Sequence, residues 1–280
     1  MGQPRSKRRL LLHAARAGDP QAQFELGCAY DFDAPKDRPR AVSWYTKAAE
    51  QGNAEAQNFL GESHRDGWGL PQDQSLAVHW FRLAAAAGEH DAQVSLGVAL
   101  FTGAGVEADP HTALRWYRKA AFAGKSAAMA NIGHMYRCGD VVRQSWKLAL
   151  RWYEKAAYDN NVTALHWLAR ICNGQEDPPA RGEEAVLWLR RAARHGDAES
   201  QASLGVRHFN GDGVRLDRRR AALLYRRAAE QGEPWSQYLL GLCYRDREGV
   251  RRNRRVALAW FRRAATSVPE AARAAEELGV

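Results

Sequence analysis

GDGVRLDRRRAALLYRRAAEQGEPWSQYLLG, residues 211–241, holds one copy of a unit that recurs along the 280-residue chain. In every copy a glycine or its stand-in closes a helix, and successive closing positions lie 34 residues apart once and 36 residues apart afterwards. The closing positions are Gly18, Gly52, Gly88, Gly124, Asn160, Gly196 and Gly232. A fixed period of this length predicts a solenoid, in which each repeat contacts only its neighbours. Such a chain presents a long surface, so binding is the expected activity and catalysis would need separate evidence.

The second helix of each copy carries an aromatic pair on one face. Its apolar slots follow the spacing i, i+3, i+4, i+7, i+8, which is one side of an α-helix. In one copy these slots are Ala113, Trp116, Tyr117, Ala120 and Ala121. We expect the aromatic pair to fill the space between helices and the alanines to let the next helix approach. On that expectation, Trp116→Ala or Trp152→Ala should each cost about 3–5 kcal/mol of folding free energy by leaving a cavity.

The first helix of each copy carries a glycine in its interior, with one exception. These positions are Gly27, Gly61, Gly97, Gly133, Ala169, Gly205 and Gly241. A glycine inside a helix costs about 1 kcal/mol relative to alanine. Because glycine recurs at this position in six copies despite its cost in helix stability, we predict a close helix contact at which a side chain would clash.

The repeated residues resemble the Sel1-like repeat family, a relative of the tetratricopeptide repeat. The resemblance extends from about Gly18 to Ala265, and its seven copies in register are specific for a fold and not for a function. It implies an all-α protein: a right-handed α-α superhelix, or solenoid, of about seven 36-residue helix-turn-helix repeats with capping helices at both ends. We predict a capping helix at residues 1–17, the repeat array at 18–267 and a second capping helix at 268–280.

Composition limits the location and the chemistry of the protein. Its four cysteines do not recur with the period, so they are interpreted as free thiols in a reducing compartment, with a Cys138–Cys172 contact as the alternative. No apolar run approaches the roughly 20 residues that span a bilayer. We therefore predict a cytoplasmic protein without a transmembrane segment.

No arrangement of residues indicates catalysis, a metal site or a cofactor. The chain has nine histidines, but their spacing matches no zinc-protease or nucleophile-elbow pattern. His64 and His208 fall in a slot that holds tyrosine in other copies, so they are expected to be buried and hydrogen-bonded. The glycine-rich loops Gly103–Gly105 and Gly211–Gly213 lack the lysine of a phosphate-binding loop and are interpreted as turns.

The resemblance also implies a binding surface on the first helices, which line the concave face of such solenoids. On each first helix the exposed positions lie three residues before, one residue after and four residues after the interior glycine. We call them the groove positions. They combine arginine, histidine and aromatic side chains, which are the types that often dominate binding energy. The predicted site residues are Arg65, Phe101, His134, Arg137, His166, Arg170, Tyr238 and Arg245. The alternative is a variable, solvated face.

The middle of the chain holds two deviations from the pattern. His134, Arg137, His166 and Arg170 are expected to lie close together, where they would suit an acidic segment of a partner. The repeat after Asn160 also lacks the interior glycine and the glycine-rich loop, which becomes 173–179. That repeat is interpreted either as neutral drift or as a locally altered groove.

A second candidate surface is basic. The chain has a net charge of +9 and an arginine cluster that returns one repeat later. The cluster comprises Arg215, Arg218, Arg219, Arg220, Arg251, Arg252, Arg254 and Arg255. Because equivalent loops of a solenoid lie side by side, we expect one arginine ridge that could meet nucleic acid, anionic lipid or an acidic protein. The alternative is a solvated, partly ion-paired surface.

The favoured function is a non-enzymatic scaffold that binds a protein or peptide in its concave groove. The resemblance implies a bacterial role in signalling, assembly, host interaction or toxin neutralisation, without selecting among them. The rival function is binding of nucleic acid or of an anionic membrane surface through the arginine ridge. No cofactor is expected in either case.

Overall fold

The computed structural model describes residues 3–33, 36–172 and 182–279, and the side chains within 10–33, 36–171 and 186–279. These ranges contain sixteen α-helices and no strand. The helices are α1 (Gln3–Arg16), α2 (Pro20–Phe32), α3 (Arg38–Glu50), α4 (Ala54–Asp66), α5 (Gln74–Ala86), α6 (His90–Thr102), α7 (Pro110–Phe122), α8 (Ser126–Cys138), α9 (Trp146–Tyr158), α10 (Val162–Cys172), α11 (Gly182–Arg194), α12 (Ala198–Asn210), α13 (Arg218–Glu230), α14 (Pro234–Asp246), α15 (Arg254–Ala264) and α16 (Pro269–Gly279). The predicted all-α fold is therefore confirmed.

The chain forms two compact units, Met1–Gln144 with α1–α8 and Ser145–Val280 with α9–α16. Within each unit every helix packs against the helix that follows it in the chain. In the first unit the repeat pairs are α2/α3, α4/α5 and α6/α7, followed by α8. In the second unit α9 precedes the pairs α10/α11, α12/α13 and α14/α15, and α16 follows them. The assignment of α1 and α16 as caps, with the boundaries given above, stays a prediction.

The second helices end as the closing positions predict. Gly52 has a φ of +87°, and apart from its own atoms and those of its two chain neighbours, no heavy atom lies within 4 Å of the place where its Cβ would be. Its need for glycine is therefore conformational, because side chains disfavour the left-handed region. Asn160 holds the same position with a φ of 56°. Asparagine tolerates this region better than most residues, so the exchange preserves the turn.

The interior glycines make the predicted close contact. A Cβ on Gly97 would lie 2.5 Å from Cε1 of Tyr117, the second member of the aromatic pair on the following helix. The same contact occurs in four other pairs: Gly27 with Tyr45, Gly61 with Phe81, Gly205 with Tyr225 and Gly241 with Phe261. An aromatic ring thus occupies the volume that the missing side chain leaves. The glycine and the ring form one packing unit of the repeat.

The α10/α11 pair replaces both members of this unit. Ala169 stands in the glycine position, and Leu189 stands in the position of the aromatic ring. Both side chains are buried, with exposed fractions of 2% and 1%. A methyl group has been gained on one helix and a ring lost on the other, so the volume at the contact is approximately conserved. The loop 173–179 and the Ala185 slot lie outside the described side chains.

The tryptophans do not fill the core as the sequence pattern predicted. Trp116 is half-buried, whereas the adjacent Tyr117 is 2% exposed. The ammonium Nζ of Lys119 lies 4.2 Å from the centre of the Trp116 ring. The same stacking occurs for Lys47 on Trp44, Lys155 on Trp152, Arg191 on Trp188 and Arg263 on Trp260. The aromatic pair therefore has one core member and one surface member, which a cation covers.

The histidine and cysteine expectations are partly confirmed. His208 is buried, and its Nδ1 lies 3.1 Å from the carbonyl oxygen of Arg215. His64 is only half-buried, so the expectation of a fully buried side chain was wrong there. Cys28, Cys138 and Cys243 are free thiols. Cys172 lies outside the described side chains, so its predicted alternative contact stays open.

Candidate protein-binding surface

The groove positions of the first unit carry an apolar patch beside a histidine–arginine pair. Val98 of α6 is 41% exposed, and the Phe101 ring on the same helix meets the edge of the His134 ring at 6.1 Å. Arg137 Nη2 lies 3.2 Å from His134 Nδ1. Burial and the Arg137 guanidinium lower the pKa of His134. At neutral pH this part of the surface therefore presents a neutral imidazole between an apolar ring and one cation.

Two predicted site arginines are held by the residue that follows them in the chain. Arg65 donates from Nε and Nη2 to the carboxylate of Asp66, both at 2.8 Å. Arg245 makes the same two-bond contact with Asp246, at 2.8 and 2.7 Å. Because neighbouring carboxylates neutralise both guanidinium groups, these two positions contribute less positive potential than their sequence suggests.

In the second unit His166 and Arg170 form an ion-pair network with α12. His166 Nδ1 lies 2.9 Å from a carboxylate oxygen of Asp197, and its Nε2 lies 3.8 Å from Glu199. Arg170 Nη1 contacts both oxygens of Glu199, at 2.9 and 3.0 Å. The Arg170 guanidinium also lies over the ring of Trp167, at 5.5 Å. The carboxylates that a partner was expected to offer to these cations are thus supplied by the chain itself.

The network shifts the pKa values of two of its members, His166 and Asp197. The hydrogen bond to Asp197 raises the pKa of His166, although partial burial opposes this. Burial works against ionisation of Asp197, but the hydrogen bonds from His166 and Ser200 outweigh it and lower the pKa of that carboxyl. The pair is therefore charged over a wider pH range than isolated side chains would be.

A groove of about 590 Å³ lies beside this network, between the first helices α12 and α14. Its lining residues are Glu199, Ala202, Ser203, Val206, Arg207, Asp212, Glu233 and Trp235. Trp235 is 46% exposed, and its ring lies 5.3 Å from that of Tyr238. Glu233 caps α14 by accepting hydrogen bonds from the backbone of Trp235 and Ser236. The groove thus offers an aromatic wall and a small apolar floor between charged groups.

Tyr238 has a structural contact as well as a groove position. Its ring lies 5.9 Å from Phe261 and packs against the buried cluster around α16. It is half-buried, so only part of the side chain is accessible to a partner.

Several residues of this surface were not predicted from the sequence, among them Asp197, Glu199 and Trp235. Asp197 could have been found, because it occupies the capping position after a closing glycine and therefore starts the helix that follows α11. Glu199 and Trp235 are each the second residue of their helix, outside the three groove positions. Only the packing of α12 beside α10 and α14 shows that helix starts also contribute to this face.

The predicted middle cluster is divided between the two units. His134 and Arg137 contact each other in the first unit, and His166 and Arg170 share Glu199 in the second. The formation of one site by all four residues stays a prediction.

The eight arginines of the predicted ridge lie in different surroundings. Arg218 pairs with Glu248 at 2.7 Å, and Arg254 donates to the carbonyl oxygen of Leu278 at 3.0 and 2.7 Å. Arg219 and Arg220 line a groove against α11. Arg251 and Arg252 line another recess, of about 540 Å³, with Arg226. Arg215 and Arg255 are exposed. A ligand for the ridge stays a prediction.

Within the described residues, no cluster of three or more histidine, cysteine, aspartate or glutamate side chains could hold a metal ion. Over the same residues, no helix combines the length and the apolar character that crossing a bilayer requires.

Comparison with known proteins identifies the repeat. The Sel1 repeat family model matches seven consecutive segments, at residues 20–53, 54–89, 90–124, 126–161, 162–197, 198–233 and 236–267. The chain belongs to the Sel1 repeat family. The irregular α10/α11 pair is one of the matched segments, so its substitutions remain within the pattern of the family.

Two solved bacterial structures are similar over almost the whole chain. One is a protective antigen of uropathogenic Escherichia coli with an SLR fold, at 32% identity and a TM-score of 0.82, over 92% of this chain and 56% of that protein. The chain thus spans little more than half the length of that relative. The other is a Sel1 repeat protein of Oxalobacter formigenes, at 30% identity and a TM-score of 0.78, over 97% of this chain and 80% of that protein.

Membership of the family has a general functional consequence. Sel1 repeat proteins generally mediate protein–protein interactions, and the family is generally non-enzymatic. The solenoid prediction and the expectation of protein partners agree with this assignment.

Proposed function

We propose that this chain is a non-catalytic scaffold that binds a protein or peptide partner on the exposed face of its first helices. The observation that carries the proposal is the groove between α12 and α14, where Trp235 is 46% exposed beside Val206. A half-exposed tryptophan in a groove is a common source of binding energy in protein interfaces.

The charges around the groove favour a partner segment of mixed character. Three carboxylates, from Glu199, Asp212 and Glu233, line the groove together with one guanidinium, from Arg207. Arg170 and His166 already share carboxylates with α12, which reduces the attraction for an acidic partner. We therefore expect a segment with an apolar side chain next to a basic one, in place of the acidic segment that the sequence suggested.

We also propose a cytoplasmic location. The proposal is supported by the free thiols of Cys28, Cys138 and Cys243, because disulfides form in secreted proteins and are rare in the cytosol.

Panning of a displayed peptide library on the full chain tests the binding proposal. The enriched peptides would then be titrated calorimetrically into the wild-type protein and into Trp235→Ala. We expect at least about tenfold weaker binding to the variant, as is usual for a tryptophan at the centre of an interface. Phe122→Ala is the matched control, since Phe122 is 97% exposed on the second helix α7 and should not affect binding.

Two further variants locate the partner along the surface. Arg170→Glu would place a third carboxylate beside Asp197 and Glu199, and Arg137→Glu would make the same change in the first unit. Reduced binding to Arg170→Glu alone would assign the partner to the second unit. Equal binding to wild type, Trp235→Ala and both glutamate variants would contradict the proposed surface.

A further inference from the structure

A second groove, of about 470 Å³, lies between the second helices α11 and α13, away from the first-helix face. Five arginines line it: Arg190, Arg194, Arg219, Arg220 and Arg227. The apolar residues that line it are Ala193, Leu204, Leu223 and Leu224, and among the described side chains Asp217 is the one carboxylate of the lining. We call this the arginine groove. Only two of its five arginines belong to the ridge predicted from the sequence.

The five guanidinium groups have no ion pair among the residues that the structure describes. This distinguishes them from Arg170 and Arg218, each of which contacts a glutamate carboxylate. The carboxylate of Asp217 is already engaged, because it caps α13 by accepting from the backbone nitrogen of Arg220. Among the described side chains, the groove therefore places five guanidinium groups beside one carboxylate, an excess of positive charge.

The repeat pattern explains why this groove differs from its neighbours. In five other second helices a tryptophan fills the surface slot and the cation three residues later stacks on its ring. In α13 the slot holds Leu224, which is 7% exposed, and the cation three residues later is Arg227. Without a ring beneath it, the Arg227 guanidinium lines the groove. Leu224 is also a smaller side chain than the tryptophan of the other repeats.

We propose that the arginine groove binds a ligand that carries two or more phosphate groups. Guanidinium groups form paired hydrogen bonds with phosphate oxygens, and five of them in one recess match a compact, highly charged anion. The volume lies in the range of small-molecule sites, which favours a small oligophosphate or a phosphorylated headgroup over an extended chain. The groove also includes the first turn of α13, where the helix dipole adds to the positive potential.

Calorimetric titration with sodium tripolyphosphate tests the proposal, at an ionic strength of about 0.15 M, where weak surface attraction is screened. We expect saturable binding to the full-length wild type and at least about tenfold weaker binding to Arg190→Glu/Arg220→Glu. Arg82→Glu/Arg118→Glu is the matched control, because both residues are exposed on the second helices α5 and α7 and the change in net charge is the same. Equal loss in both double variants, or no binding to the wild type, would overturn the proposal.

A third variant tests the shape of the groove without changing its charge. Leu224→Trp restores the residue found in the equivalent slot of most repeats and gives Arg227 a ring on which to stack. We expect several-fold weaker binding of tripolyphosphate, because part of the groove is filled and one guanidinium is diverted. Unchanged affinity would exclude the recess as the binding place and would overturn the proposal.

Two additional probes separate the sources of the anion. Binding to vesicles that contain phosphatidylinositol bisphosphate, lost in Arg190→Glu/Arg220→Glu, would assign the phosphates to a lipid headgroup. Binding to tripolyphosphate alone would assign them to a soluble ligand, and both results support the proposal. A single-stranded oligonucleotide of about 12 nucleotides tests the rival hypothesis, in which the groove binds nucleic acid. Tighter, groove-dependent binding of that oligonucleotide would replace the proposal with nucleic-acid binding.

Discussion

The α6/α7 and α10/α11 pairs perform the same packing task with different residues. In α6/α7 the Gly97 backbone faces the Tyr117 ring, whereas in α10/α11 Ala169 and Leu189 hold the two positions. Their groove positions differ as well. The first pair presents valine and phenylalanine, and the second presents the His166 and Arg170 network. The irregular repeat thus conserves volume at its core and changes charge at its surface.

This difference shows which features of the repeat are coupled. If the interior glycine served flexibility, its loss in α10 would need no response in α11. Instead, the missing glycine coincides with a missing ring, as expected if the two side chains compete for one volume. The substitutions in α10/α11 are then a compensated pair at the core, and the choice between neutral drift and a locally altered groove stays open.

The largest expected effect comes from removing the core ring of the regular pair. Tyr117→Ala should reduce the free energy of unfolding by about 3–5 kcal/mol, because the ring is buried and the backbone of α6 cannot collapse onto the space. Urea denaturation followed by circular dichroism measures the change. Phe122→Ala on the same helix is the control and should change the stability by less than about 0.5 kcal/mol, since that ring is exposed. Similar losses in the two variants would disprove the assignment of Tyr117 to the core.

The second effect tests the coupling directly. Gly97→Ala places a methyl group 2.5 Å from the tyrosine ring and should cost about 1–3 kcal/mol through overpacking, even though alanine favours helix. In the background of Tyr117→Leu the same change should cost nothing or stabilise the protein. The irregular pair offers the reverse experiment, in which Leu189→Tyr should destabilise and Ala169→Gly should rescue it.

Double-mutant cycles give the coupling energy in both pairs. We expect an interaction term above about 0.5 kcal/mol in each cycle, as is usual for residues in contact. Additive effects in either pair would show that the glycine and the ring do not compete for space there.

The third effect separates the two members of the aromatic pair. Trp116→Ala should cost about 1–2 kcal/mol, because half of the ring is already solvated and the stacking of Lys119 adds only a small part. This is below the loss that the sequence pattern predicted for a core tryptophan. The unfolding midpoint of Trp116→Ala should therefore lie between those of Phe122→Ala and Tyr117→Ala. A midpoint at or below that of Tyr117→Ala would show that Trp116 contributes as much to the core as Tyr117, and would contradict its assignment to the surface.

The repeat and its helices could be predicted from sequence because each depends on residues at fixed spacing. The closing glycine, the interior glycine and the ring at Tyr117 recur with the period, and each has a local physical meaning. The half-burial of Trp116 could not be predicted, since the face of a helix that its neighbours cover depends on their packing. Glu199 was missed for a related reason, because it approaches His166 from a different helix.

The smallest effect is a pH dependence confined to the irregular pair. The hydrogen bond to Asp197 raises the pKa of His166, so its contribution to stability is complete below the ordinary histidine pKa of 6.5 and is lost as pH rises through the raised value. The regular pair has Val94 in the equivalent position and lacks this contribution. Wild type should therefore exceed His166→Gln in stability by about 0.2–1 kcal/mol near pH 6, and the difference should shrink toward pH 9. Urea denaturation of both proteins across this range measures the difference, and a gap that stays constant or widens with pH would show that His166 acts as a neutral hydrogen-bonding group.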